Sequence, residues 1–408
     1  MKAPPLPVFS PVLRLTGFVG AMMMSMATAT VGLALWLADQ GIGSESIGLI
    51  NALPLVVVVL LSLFVGRLAD RASDWRGVLL ACSAIAAAAP LALFFVHSYW
   101  TIALVWTLTM APYLVMLPVV DAATLRMAAR NGVHYGAIRV WGTIGYIVAA
   151  ILTGRLMQAY GNGLFVGLLV AGGALRFSAA LLLPPLRAPE TPATPASGVA
   201  APRGPIAGEL RDLFRPWFLA PVLAGSFLSA SHATLNGFGP LLWKNEGVSE
   251  GRIGIYLAIA PIAEIAAMLL AGRVLARFEA RQVLTACCLV GVVRWCGLVA
   301  PPLPALVAPL QAMHFVTFGL GYVAFVIFVD DSSRATIAAQ GQSFAATVRN
   351  VVTILAYAAF GWLAARLGPN SYYAAAAMCA TGALLCLGSL AMHPVQRRSR
   401  PRLVRSGG

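Results

Sequence analysis

Apolar runs long enough to cross a bilayer follow one another along almost the whole chain, and most of its charges fall between them. A helix needs about 20 predominantly apolar residues to span the hydrocarbon core. Twelve runs meet that need, at 12–38, 46–66, 77–97, 100–125, 136–158, 163–184, 216–242, 252–272, 282–300, 305–328, 344–366 and 371–392. Of the 408 residues, 60% are hydrophobic and 10% charged, where soluble domains carry about 25% charged residues. Only an all-α integral membrane protein accommodates that balance, because backbone amides in lipid must be satisfied within helices or closed barrels.

The net charge of +14 does not indicate a nucleic-acid partner, since the cations lie in short clusters between the apolar runs. Their distribution instead sets topology. The N-tail, alternate loops and C-tail hold 20 of the 28 Lys and Arg residues, and the opposite loops hold four. Both termini are therefore expected on the cytoplasmic side of a bacterial inner membrane, with the first residues retained. The stretch 185–215, rich in Pro, Ala and Thr, reads as a cytoplasmic linker. It separates an N-terminal six-helix bundle, 1–184, from a C-terminal one, 216–392, with a basic tail at 393–408.

The two halves repeat. "GIGSESIG" (Gly41–Gly48) aligns with "GVSEGRIG" (Gly247–Gly254) at an offset of 206, which also carries Gly66-Arg67 onto Gly272-Arg273. Parallel six-helix repeats about an axis along the membrane normal are a recurrent transporter architecture, with the solute site between the halves.

Ionisable residues within spans are functional candidates. Asp121 and Arg139 stand 18 residues apart, each nine from Arg130 at the centre of the intervening loop. At 1.5 Å rise per residue, an antiparallel pair brings them to equal depth, where each stabilises the other's charge. Asp331 and Arg349 repeat the spacing at an offset of 210, as a charge pair holding helices or touching solute. Glu264, Arg294 and His314 all fall near mid-membrane, a set able to exchange a proton. Arg176 stands alone and receives no role. Trp141, Tyr146, His232, Asn236, Phe315 and Tyr322 are candidate lining, while Trp75, Trp100, Trp217 and Trp243 near span ends read as interfacial anchors. The six cysteines lie in apolar runs without metal-ligand spacing and read as small hydrophobes. No metal cluster, phosphate loop or nucleophile–base set points to a cofactor or an enzyme.

"GRLADRASDWRG" (Gly66–Gly77) resembles the loop signature of the major facilitator superfamily, and "GRVLARFEARQ" (Gly272–Gln282) is its degenerate counterpart. The resemblance implies a gating latch at Gly66, Asp70 and Arg71. Three further stretches are similar to the branch containing the lactose, phenylpropionate and nucleoside permeases. They are "YGAIRVWGTIGY" from Tyr135, "SHATLNGFGPLLWKNEGVS" from Ser231 and "QAMHFVTFGLGY" from Gln311. By that resemblance Asp121 and Arg139 contribute to solute binding, while Glu264, Arg294 and His314 handle proton coupling. One departure stands out: lactose permease has a second Glu three residues after the histidine, and Thr317 stands there in this chain, which leaves Glu264 or Asp121 to carry the proton, or a different coupling or stoichiometry.

The expectation is a monomeric secondary transporter of a small organic solute, working by alternating access and coupled to proton import. An aromatic acid, a sugar and a nucleoside are the candidate solutes. A proton-coupled efflux antiporter is the alternative, and a transporter-like sensor without transport a more distant one.

Overall fold

The computed structural model describes residues 10–71, 74–186, 211–333 and 338–392, without the side chains of 62–71, 266–269 and 338–339. The gating residues Gly66, Asp70 and Arg71 ride on the last two turns of a described helix, but their surroundings lie outside the described residues. So do residues 187–210 of the expected linker and the tail from 393 onward.

The described chain is helical. In the first half run α1 (Pro11–Asp39), α2 (Ser44–Arg71), α3 (Trp75–Ala88), α4 (Tyr99–Asn131), α5 (Tyr135–Tyr160) and α6 (Leu164–Leu181). The second half holds α7 (Pro216–Ser231), α8 (Ala233–Asn245), α9 (Glu250–Arg277), α10 (Ala280–Gly297), α11 (Pro304–Ala312), α12 (Gly321–Ser332), α13 (Ala338–Leu367) and α14 (Tyr372–Met392). Nine described stretches are long and apolar enough to cross a membrane, or ten counting the bent pair within α9, rather than the expected twelve. One of the nine, Gln340–Met392, contains both α13 and α14. The α10 helix is not among them, and Arg281, Gln282 and Arg294 dilute its apolarity.

Local chemistry sets the ends. Ser10 caps α1, its Oγ accepting from the Leu13 amide at 3.2 Å, and Pro11 occupies the first turn, where no amide is needed. The chain leaves α1 through Gly41 at φ 76° and leaves α8 through Gly247 at φ 83°. These glycines are the first residues of the aligned repeat, and both adopt the left-handed conformation that a side chain disfavours.

The repeat extends to polar straps. Asp74 Oδ1 accepts from the Arg76 amide and from the Leu186 amide, each at 3.0 Å, and Arg76 Nη2 donates to the Leu181 carbonyl at 3.0 Å. These bonds tie the start of α3 to the end of α6. In the second half Glu279 and Gln282 form a reciprocal cap on α10. Arg281 pairs with Glu279 at 2.6 Å and donates to the Ser389 carbonyl at 2.8 Å, tying α10 to α14.

The halves meet along three seams: α5 on α9, α2 on α13 and α1 on α8. At the first two the backbones approach closely enough to require glycine. A methyl group on Gly154 would lie 3.1 Å from Gly254 Cα and closer still to the Glu250 carbonyl. One on Gly48 would lie 3.1 Å from Gly361 Cα and closer still to the Tyr357 carbonyl. Gly48 and Gly254 are the 206-offset pair, so the two clasps are repeats of each other. Each is reinforced beside it: Arg366 with Glu45 on the α2–α13 side, and the Gly251 amide with Gln158 Oε1 at 3.1 Å on the α5–α9 side. Lys244 and Glu250, 2.5 Å apart, join α8 to α9 at the same end.

Two expectations about buried types change. Trp243, expected at an interface, is 1% exposed and packs edge-on against Tyr256 at 5.4 Å. Cys296 is exposed and Cys82 partly so, whereas Cys287, Cys288, Cys379 and Cys386 are buried, packed between α10 and α14.

Candidate functional site

Two charged clusters occupy the interior, and the sequence-derived grouping of their members is redrawn. The first lies on α4, α5 and α9. Arg139 Nε stands 4.0 Å from Asp121 Oδ1, so the equal-depth argument brings these side chains together. Tyr135, one turn before Arg139, donates from Oη to Asp121 Oδ1 at 3.4 Å. The aspartate is half exposed and the guanidinium about a quarter, so the pair borders open space. Pro112 and Pro118 lie within α4 upstream of Asp121. Each proline withholds an amide from the helical ladder.

Glu264 belongs to this cluster. It was expected beside Arg294 and His314. Instead the cation whose charge acts on it is Arg139, with no hydrogen bond or ion pair joining the two, and Tyr146 lies within its field. The helix that carries Glu264, α9, packs along α5, the helix of Arg139, across the seam between the halves.

The second cluster is built around Arg294, fully buried on α10. Its Nε donates to the Leu310 carbonyl at 3.0 Å and its Nη2 to Gln311 Oε1 at 2.8 Å. Nη1 faces His232 Nε2 at 3.0 Å, Thr317 Oγ1 at 3.0 Å and His314 Nδ1 at 3.3 Å. No carboxylate among the described residues pairs with it. His232 was expected in the solute lining. It is 2% exposed and belongs to this network. Its Nδ1 lies 2.9 Å from the Leu228 carbonyl, which can only accept. The proton therefore sits on Nδ1, leaving Nε2 to accept from Arg294 or Thr317, so the imidazole is neutral here. His314 opens a π-helical turn, Phe315–Leu320, and stacks on Phe318 at 4.8 Å. Such turns recur at functional sites because they re-aim side chains within a helix.

The remaining candidates scatter. Trp141 is 52% exposed, Asn236 is exposed and Phe315 is partly buried beside His314. Arg349 lies over the Tyr322 ring at 5.4 Å, and both line a narrow crevice with Thr317, Phe318 and Phe325. Asp331 sits in the last turn of α12.

Sequence reasoning passed over three residues. Gln311 stands three before His314, on the same helical face, in a motif quoted for its histidine. Tyr135 opens the motif quoted for Arg139. Tyr113 gave no signal, yet it packs under the Arg176 guanidinium at 5.6 Å and feels the charges of Arg139 and Asp121. Arg176 is 2% exposed. A cation over a ring gains about 0.5 to 2 kcal/mol, less than the roughly 2.5 kcal/mol or more that a guanidinium at mid-membrane costs.

Comparison with known proteins decides the family, because the MFS_1 like family model matches residues 32–351, more than half of the chain. The chain belongs to the MFS_1 like family. It is a multi-pass membrane transporter of major facilitator type, not an enzyme. It is 27% identical over 313 residues to the probable 3-phenylpropionic acid transporter of Escherichia coli (strain K12), a match covering 72% of this chain and 76% of that one. It is 28% identical to the maltose permease of Geobacillus stearothermophilus over 275 residues, 66% of each. The fold is similar to the crystal structure of the nucleoside transporter NupG, with TM-score 0.76 at 18% identity, covering 94% of this chain and 99% of that one.

Proposed function

We propose that this family member imports a small organic solute together with a proton across a bacterial inner membrane, with both termini cytoplasmic. The coupling is supported by Arg139, which pairs with Asp121 of the first half and is the cation whose charge acts on Glu264 of the second. A guanidinium with two carboxylate neighbours can exchange one of them for the solute. The displaced carboxylate, left without its cation in a low-dielectric site, then binds a proton. Occupancy by solute and protonation are thereby linked. The same residues bridge the seam that alternating access must open. Arg294 and His314 support this step by shaping the second half's wall. Similarity to a phenylpropionic acid transporter favours an aromatic acid as solute. Similarity to the maltose permease and to the nucleoside transporter keeps hydroxylated solutes in the test panel.

The test is transport in proteoliposomes with 3-phenylpropionate, maltose and uridine. One of these drives proton uptake on addition. In Glu264→Gln, counterflow of that solute survives while net uptake driven by a pH gradient collapses. Unchanged gradient-driven uptake in Glu264→Gln sinks the coupling role.

A further inference from the structure

Arg176 is the buried cation that this mechanism leaves unused. It lies on α6, which packs on α1 and α3, with its guanidinium over the Tyr113 ring of α4. Its Nε and Nη2 are buried and find no hydrogen-bond partner among the described residues, and neither does the Tyr113 hydroxyl. No described carboxylate is its electrostatic neighbour; Tyr113 alone is. Three buried donor atoms without a described acceptor, two of them on a cation without a described anion, define the chemistry of what they would hold. A carboxylate supplies acceptor lone pairs for all three and the missing charge.

The position fits a solute subsite. Tyr113 stands eight residues, about two turns, before Asp121 on the same helix α4, with the Arg176 guanidinium over its ring. The charges give the same answer. With Glu264 carrying the proton, Asp121 pairs with Arg139, and the charge of Arg176 is left uncompensated. We propose that Arg176 and Tyr113 form the anion-holding subsite of the cavity, and that the solute is a monocarboxylate whose carboxylate docks there. This rests on the transporter reading of the cavity but needs only binding, not coupling.

The experiment compares acids with their uncharged amides on the full-length protein in nanodiscs. Benzoate and 3-phenylpropionate are titrated against benzamide and 3-phenylpropionamide, with ligand-induced thermal stabilisation as the readout and chloride as a control anion. Wild type binds at least one acid about tenfold or more tightly than its amide. Arg176→Gln brings that ratio close to one, and Arg176→Lys retains part of it. Tyr113→Phe, which keeps the guanidinium and removes one donor, lowers the ratio by about threefold to tenfold. Should Arg176→Gln fail to fold, Tyr113→Phe and Arg176→Lys carry the same comparison. An acid-to-amide ratio unchanged in the variants overturns the subsite. So does wild type that binds no acid, or that chloride stabilises as well as the acids. Wild type that binds an acid but shows no gradient-driven uptake would count against the coupling mechanism alone.

Discussion

At the scale of single residues, the decisive facts concern which groups share a partner. Arg294 is held by a carbonyl, an amide, a hydroxyl and two imidazoles, and each contact is specific enough to test. Gln311→Leu leaves Nη2 buried without its 2.8 Å acceptor. We expect a loss of about 1 to 3 kcal/mol, read as a lower thermal-unfolding midpoint of the purified protein. Gln311→Glu keeps the acceptor and retains the midpoint better. Thr317 is instructive because it occupies the place where the resembling permease has a carboxylate. Its hydroxyl lies 3.0 Å from Arg294 Nη1, so the site is already filled by an uncharged acceptor. In the proposed mechanism the proton then falls to Glu264 or to Asp121, both on the Arg139 side of the seam.

At the scale of elements, the clasps follow from glycine. The Gly154–Gly254 and Gly48–Gly361 contacts bring backbone against backbone, with no room for a side chain. Helices that approach so closely gain packing contacts along their length, but the gain lasts only while the halves are shut at that end. Gly154→Leu and Gly361→Leu should therefore hold the clasped end open. The expected outcome is counterflow lost or slowed by about tenfold or more, with solute still protecting the protein against thermal unfolding. Counterflow at the wild-type rate in both variants would show that the seams do not need to close. Removing the Arg366–Glu45 contact by Glu45→Gln is a milder change. Both groups are about half exposed, so it should shift stability by less than about 1 kcal/mol.

At the scale of the whole molecule, the arrangement is two related sets of helices joined along three seams, with the charged clusters on either side. The paired straps, Arg76 to Leu181 and Arg281 to Ser389, sit at equivalent places in the two halves. Reporter fusions test the proposed orientation. A fluorescent protein at either terminus should fold and emit, while a periplasmic phosphatase at the same places should stay inactive. The reverse result would invert the topology and the direction of coupling.

The sequence alone determined the membrane class, the helical fold and the meeting of Asp121 with Arg139. All three rest on one-dimensional quantities: run length, composition, and distance along a helix at fixed rise. Equal depth was enough for Asp121 and Arg139, whose helices α4 and α5 are consecutive. The glycine repeat was equally legible, since a left-handed turn and a close backbone approach both demand that residue. Only the tertiary structure decided which charges meet across helices distant in sequence. Glu264, Arg294 and His314 share an expected depth, but depth does not fix the direction in which a side chain leaves its helix. That direction depends on accumulated rotation, on the break at His232, on the π-helical turn after His314 and on the neighbour each helix finds. The α9 helix found α5, so Glu264 lies within the field of Arg139, and His232 took the place beside Arg294.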